Sequence, residues 1–147
     1  MNAAAHSVVV GGSTAARVIA CPASVRLAAT VPPRPSSQYA DMGTLLHNVI
    51  ADTLSAGLPQ SEAIGSSYAG QTLTEEIYGE KIVPALAALD AIDPMEAMTI
   101  SVEARVSFGD WLPGVFGTSD VLGRMGNRAV VLDWKFGDGV IVDAEEN

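Results

Sequence analysis

Residues 117–135 read GTSDVLGRMGNRAVVLDWK, and they predict a β-hairpin. The group Met125-Gly126-Asn127 is typical of a tight turn between two antiparallel strands. We expect the first strand to run from about Val115 to Arg124 and the second from Arg128 to Phe136. The hairpin is the part of the chain from which the rest of the fold can be worked out.

The chain before the hairpin predicts one more strand and several helices. Polar and apolar residues alternate from Thr99 to Phe108, which is the period of a strand and completes a three-stranded antiparallel meander. Leu58–Gly70 is polar and is predicted to be a loop. The predicted helices are Ala15–Ala20, Tyr39–Ala56 and Thr72–Ala91, and Pro22 either interrupts the first of them or starts a second short helix through Ala29. Helices followed by a meander indicate an α+β fold.

The helix boundaries are predicted from capping and breaking residues. Ser13 or Thr14 can cap the first helix, and Gly57 can end the helix Tyr39–Ala56. Thr72–Glu75 has the T-x-x-E pattern of a capping box at the start of the last helix. Pro84 is expected to kink that helix.

Composition limits the classes of protein to which this chain can belong. Its 147 residues (15.2 kDa) are 48% hydrophobic and 17% charged, which is typical of one globular core. Eight Lys and Arg against 17 Asp and Glu give a net charge of −9, so a polyanion requires locally placed cations or metal ions. A single cysteine, Cys21, excludes a disulfide framework and an iron–sulfur cluster held by this chain alone. Without a membrane-length apolar run or a signal-peptide pattern, a cytoplasmic location is expected.

Two carboxylates and a lysine are predicted to share one patch of the hairpin. A turn near Gly126 places Asp120 opposite roughly residue 133, and Asp133 and Lys135 lie two apart on one strand. Opposed carboxylates repel each other, and a hard cation such as Mg²⁺ removes that repulsion. With a lysine to orient water or to balance charge on a phosphate oxygen, metal-assisted phosphodiester hydrolysis is the chemistry indicated. The alternative is an exposed Asp133–Lys135 pair, which is a common surface feature of little energetic weight.

Four motifs resemble the PD-(D/E)XK nuclease superfamily, and RecB-type exonuclease domains in particular. They are C-P-x-S at Cys21–Ser24, G-T-x-x-H at Gly43–His47, G-x-x-D at Gly117–Asp120 and D-x-K at Asp133–Lys135. Their order and spacing are similar to those of a phage-associated RecB-like family of uncharacterised function. The resemblance implies a single RecB-like nuclease domain over residues 1–147, with an α/β-type restriction-endonuclease-like core.

The resemblance also implies a role for each motif residue. Lys135 is the implied catalytic lysine, and Glu103 is an implied catalytic acid with a supporting or metal-linked role. The implied metal ligands are His47, the catalytic carboxylates of Asp120 and Asp133, and the backbone carbonyl of Trp134. The implied cofactor is Mg²⁺ or Mn²⁺, and the implied activity is hydrolysis of DNA by an exonuclease of phage or prophage origin.

Several residues have interpretations that do not depend on the resemblance. Arg17 and Arg26 are candidate DNA contacts through phosphate, with a solvated helix face as the alternative. Trp111 and Trp134 are predicted to be packing groups, and Cys21 a small buried hydrophobe.

The last residues predict an incomplete core. After a turn at Gly137–Gly139 and an extended piece at Val140–Val142, Asp143 and Glu146 form a D-x-x-E helix start just before Asn147. The resemblance then implies that the last helix and strand of the αβββαβ core are missing. The open sheet invites cover by another chain or by a second copy. A second hypothesis follows, in which the chain is a catalytically inactive fragment that serves as a binding or assembly module.

Overall fold

A computed structural model of the chain describes residues 10–11, 14–32 and 35–136. These residues divide into two compact units. The first unit contains the described residues up to 35 together with 104–119, and the second contains 36–103 and 120–136. Within these ranges, none of the helices combines the length and the apolar character needed to cross a membrane.

The first unit begins with two short helices, α1 (Ala15–Ala20) and α2 (Ser24–Thr30), close to their predicted bounds. Thr14 stands at the N-cap position of α1, but its side chain does not cap the helix. Its hydroxyl instead exchanges hydrogen bonds with Gly11, accepting from the amide at 2.9 Å and donating to the carbonyl at 3.2 Å. The prediction that Cys21 is buried is wrong, because it lies exposed between two helices whose residues mostly face solvent.

The second unit is organised around α3 (Gln38–Ala56), whose bounds confirm the predicted helix to within one residue. Ser37 caps it by accepting a hydrogen bond from the Ala40 amide at 3.2 Å. Gly57 ends it in the left-handed region at φ 67°, where a side chain would be strained.

The segment Leu58–Gly70, predicted to be a loop, contains short regular elements. Helix α4 covers Gln60–Ala63, and strand β1 (Ser67–Tyr68) pairs with β2 (Gln71–Thr72) in an antiparallel hairpin. Ala63 is fully buried, so tertiary packing orders a segment too short to show a helical period.

In place of the last predicted helix, the structure has three consecutive helical elements. They are α5 (Glu75–Ile77), a π-helical turn (Tyr78–Ile82) and α6 (Val83–Ile92). Thr74, rather than Thr72, is the N-cap, and its hydroxyl accepts from the Ile77 amide at 3.2 Å, because Thr72 is taken into β2. Pro84 lies in the first turn of α6, directly after the π turn, and the kink expected at this proline stays a prediction.

These helices enclose the hydrophobic core of the second unit. The core joins α3, α4, the segment after β2 and the π turn, with Trp134 and Phe136 packed against it. Its buried members are Leu45, Leu46, Val49, Ile50, Ala63, Leu73, Tyr78, Ile82 and Ala85. The Trp134 side chain contributes a hydrogen bond from its indole Nε1 to the Ala85 carbonyl at 3.2 Å, which confirms its predicted packing role.

The predicted meander is present as an antiparallel sheet of three strands in the order β3–β4–β5. The strands are β3 (Thr99–Ser107), β4 (Phe116–Met125) and β5 (Arg128–Leu132). Between β3 and β4 lies a 3₁₀ turn, Gly109–Trp111, in which Trp111 is 91% exposed, so its predicted packing role is wrong.

The hairpin register confirms the predicted pairing. Val121 pairs with Leu132 and Met125 with Arg128, so Asp120 lies opposite residue 133 one step beyond the last pair. The strand predicted to extend to Phe136 ends at Leu132, and two residues later the Trp134 amide donates to the Asp120 carboxylate instead of to a strand carbonyl. The turn, extended piece and helix start predicted after Phe136 lie outside the described residues.

Candidate functional site

The site lies entirely in the second unit, where three distant segments meet at Asp120. His47 comes from α3, Asp120 from β4, and Trp134 from the segment that follows β5. The GTxxH, GxxD and DxK motifs are therefore in contact with one another, as the sequence-level hypothesis required.

His47 is held between a carboxylate and an aromatic ring. Its Nδ1 lies 3.1 Å from Oδ1 of Asp120, and the two side chains are 29% and 14% exposed. Its ring meets the edge of Phe136 at a centroid separation of 5.1 Å and an interplanar angle of 75°. Gly43, one helical turn earlier, lies against the Phe136 carbonyl, which would be 3.5 Å from a Cβ at that position. That distance is an ordinary van der Waals contact, so Phe136 packs closely against this part of α3 without requiring a glycine there.

Asp120 is fixed from its other side by the backbone. Its Oδ2 accepts the Trp134 amide hydrogen at 2.6 Å, a charge-assisted bond that joins β4 to the segment after β5. Both carboxylate oxygens are therefore engaged, one by His47 and one by Trp134. The predicted contribution of Trp134 was its carbonyl, whereas the contact at this site is through its N–H.

Asp133 and Lys135 form an ion pair between Oδ2 and Nζ. Their side chains are 40% and 55% exposed, so the lysine is open to solvent and to a ligand. The pair lies in the irregular segment after β5, yet the two side chains meet as their spacing predicted.

Negative charge is concentrated around His47. Burial lowers the pKa of His47, but the hydrogen bond to Asp120 and the charges of Asp120, Glu103 and Asp133 outweigh it and leave the pKa above its ordinary value of 6.5. These four groups are therefore close enough to act on one another, and the imidazole is biased towards the cation.

Glu103 joins this cluster from β3. Its pKa is raised first by partial burial and then by the charge of Asp120, with His47 opposing the shift. Its backbone has φ 50°, the left-handed region, which is unusual for a non-glycine residue inside a strand and costs about 1–2 kcal/mol. Backbone strain at a residue of the cluster is typical of functional positions.

The side chains of the cluster offer the types of donor atom that a hard divalent cation binds. Glu103, Asp120 and Asp133 offer carboxylate oxygens and His47 an imidazole, the donors that Mg²⁺ and Mn²⁺ accept. Asp120 raises the pKa of Glu103, and a cation between them removes that repulsion. Within residues 10–11, 14–32 and 35–136, however, no group of three or more His, Cys, Asp and Glu is arranged so that it could hold a metal ion.

The candidate DNA contacts Arg17 and Arg26 do not belong to the unit that holds the site. Arg17 is in α1 and Arg26 in α2, both exposed and both in the first unit. Sequence reasoning did not identify Phe136 or the Ala85 carbonyl as neighbours of the site. Phe136 could have been found as the aromatic residue directly after D-x-K. No local pattern in the sequence marks the Ala85 carbonyl.

Comparison with known proteins gives one match. The family described as "Protein of unknown function (DUF2800)" matches residues 6–147. No curated protein and no solved structure matches the chain. Since the match spans nearly the whole sequence, the chain belongs to the DUF2800 family of proteins of unknown function.

Proposed function

We propose that this chain is a metal-dependent deoxyribonuclease, an exonuclease of phage or prophage origin that hydrolyses DNA in the cytoplasm of a bacterial host. The observation that carries the proposal is the contact of Asp120 with His47 on one side and Trp134 on the other. It joins three motifs that resemble those of PD-(D/E)XK nucleases. The proposal includes a restriction-endonuclease-like arrangement of α3 and the three-stranded sheet.

Asp120 and Asp133 are the proposed metal ligands, with His47, Glu103 and the Trp134 carbonyl as further donors. A bound Mg²⁺ or Mn²⁺ supplies charge neutralisation at the phosphate and makes water more acidic. The Trp134 amide holds the Asp120 carboxylate in one orientation, so the ligand is positioned before any metal arrives.

Lys135 is the group proposed to act on the reacting atoms. Its ammonium can orient the attacking water or balance the negative charge that develops on a phosphate oxygen. Asp133 contacts that ammonium and holds it in place. The exposed position of Lys135 leaves it accessible to a phosphodiester.

Cleavage of end-labelled linear DNA with Mg²⁺ or Mn²⁺ tests the proposal. We expect Asp120→Asn, Asp133→Asn and Lys135→Gln each to lower the rate by about a hundredfold or more. Glu62→Gln, which removes an exposed carboxylate from α4, is the matched control and should cut like the wild type. Full metal-dependent cleavage by all three site variants would show that this cluster is not the active site.

A non-catalytic binding or assembly module is the second candidate, and one observation favours it. His47 and Trp134 already engage both oxygens of Asp120, so the cluster is closed without a metal. Calorimetric titration of Mn²⁺ into the metal-free chain separates the two candidates. Saturable binding that is lost in the Asp120→Asn/Asp133→Asn double variant supports the nuclease. A folded chain that binds no Mn²⁺ supports the module, with another chain or a second copy as the partner to seek.

A further inference from the structure

A cavity of about 510 Å³ opens beside the β4–β5 hairpin, in the same unit as the site. Residues of β3 and β4 line it, with Thr99 and Ser101 on one side and Leu122 and Arg124 on the other. Gly126 of the hairpin turn also lines it. Of the residues that the structure describes, neither an Asp nor a Glu contributes to its lining.

The polar groups of this cavity are well suited to an anion. Thr99 and Ser101 are exposed and present hydroxyl groups. Arg124 donates from Nε to the Gly126 carbonyl at 3.4 Å, a long bond that leaves the other guanidinium hydrogens for a ligand. Among the described residues, Arg124 forms no ion pair, so none of their carboxylates neutralises its charge. A guanidinium with flanking hydroxyl donors is the typical protein surface for a phosphate group.

The cavity and the site lie on the same side of β4. Asp120, Leu122 and Arg124 alternate along β4 with the buried Ser119, Val121 and Gly123, so Asp120 and Arg124 lie on the same side of the strand. Arg124 is four residue steps along the strand from Asp120, which is about 13 Å. One DNA strand advances about 3.4 Å per nucleotide along the duplex axis, so the separation corresponds to about four nucleotides.

We propose that this cavity binds a backbone phosphate of the DNA strand whose scissile phosphate lies at Asp120 and Asp133. The inference rests on the proposed function and names a substrate contact that the motifs do not include. A chain with a net charge of −9 repels DNA in bulk, so it needs local cations along the strand path, and Arg124 supplies one.

Fluorescence anisotropy of a labelled DNA duplex, measured with Ca²⁺ over a series of salt concentrations, tests the inference. We expect Arg124→Gln to weaken binding about tenfold and to lower the slope of log affinity against log salt by about one. Arg124→Lys, which keeps the charge, should restore part of the affinity. Arg128→Gln is the matched control, because Arg128 is also in the hairpin but does not line this cavity, and it should bind DNA like the wild type.

Each other result has a distinct meaning. If Arg124→Gln binds DNA like the wild type, or if Arg128→Gln loses as much affinity, the phosphate site is refuted while metal-dependent cleavage by the wild type leaves the nuclease intact. If poly-glutamate displaces the labelled DNA as well as unlabelled DNA does, the cavity selects acidic polymers in general and the inference is again refuted. A wild-type chain that neither binds nor cuts DNA refutes the proposed function and this inference together.

Discussion

The two units of the chain differ in what they bury. In the second unit, Leu46, Ile50 and Ile82 are almost completely buried in one core. In the first unit, Ile19 is 81% exposed and Leu27 64% exposed. The site residues belong to the unit with the core, so the packing that stabilises this unit also sets the positions of His47 and Asp120. A functional cluster whose contacts must hold to a few tenths of an ångström requires such a support.

The two units also differ in the charged residues that they carry. The described charged residues of the first unit are Arg17, Arg26, Arg105 and Asp110, with the Arg105 guanidinium 3.5 Å above the Phe116 ring. The second unit carries acidic residues on α5, the π turn and α6, in addition to the carboxylates of the site. Each unit therefore has its own surface chemistry, and substitutions in the two units should have different consequences.

The largest difference is expected from truncating apolar side chains. Ile50→Ala, in the core of the second unit, should lower the free energy of unfolding by about 2–5 kcal/mol, because it leaves a cavity. Leu27→Ala, in the first unit, should change it by no more than about 0.5 kcal/mol. Urea denaturation followed by circular dichroism measures both. An equal loss from Leu27→Ala would show that the contrast between the units does not hold in solution.

The next effect concerns the carboxylate that joins the site to the sheet. Asp120→Ala leaves the partly buried Trp134 amide without its acceptor, so we expect a loss of about 1–3 kcal/mol in unfolding free energy. Asp120→Asn retains an oxygen that can accept this bond and should cost less, although it should still abolish cleavage. The same urea measurement compares the two variants. Equal stability of Asp120→Ala and Asp120→Asn would mean that the Trp134 bond contributes nothing.

The hairpin was predictable because its determinants are local. The Met125-Gly126-Asn127 turn fixes the register, and the register places Asp120 opposite residue 133. The meeting of Asp133 with Lys135 follows from a spacing of two residues and holds although β5 has already ended. Patterns that act over a few residues therefore gave the correct placement of one half of the site.

The other half depends on contacts between distant segments. Helical spacing places His47 on α3 but does not say what it faces, and the resemblance to G-T-x-x-H was needed to predict that it joins Asp120. The segment after β5 is tied to the sheet by a bond between the Trp134 amide and a side chain on another strand, which no periodicity predicts. The exposure of Cys21 and Trp111 likewise reflects how little the first unit buries, a tertiary property.

The two tryptophans offer a smaller test of the contrast between the units. Trp134→Phe removes the indole N–H that bonds the Ala85 carbonyl, and we expect a loss of about 1 kcal/mol in unfolding free energy. Trp111→Phe, at a 91% exposed position, should leave stability unchanged within error. Each variant also removes one of two fluorophores, so its emission spectrum checks the assignment. Blue-shifted emission from Trp111 would contradict its exposed position.

The smallest effect expected is a dependence of stability on pH that originates in the cluster around His47. Both resolved shifts raise the pKa, that of His47 above 6.5 and that of Glu103 above 4.5. A group whose pKa is higher in the folded state stabilises the fold below its unfolded pKa and loses that contribution as the pH rises through the folded pKa. The unfolding free energy of the metal-free chain should therefore fall as the pH rises from about 4.5 through the raised pKa of His47.

The origin of this dependence can be isolated with one substitution. In Asp120→Asn the hydrogen-bonded anion is gone while burial remains, so the pKa of His47 should drop relative to the wild type. NMR titration of the imidazole protons of the metal-free chain measures it, with His47→Gln to distinguish the signal from that of His6. An unchanged pKa in Asp120→Asn would mean that Asp120 does not set the charge on His47. The direct contact of these two side chains, on which the assembly of the site depends, would then not persist in solution.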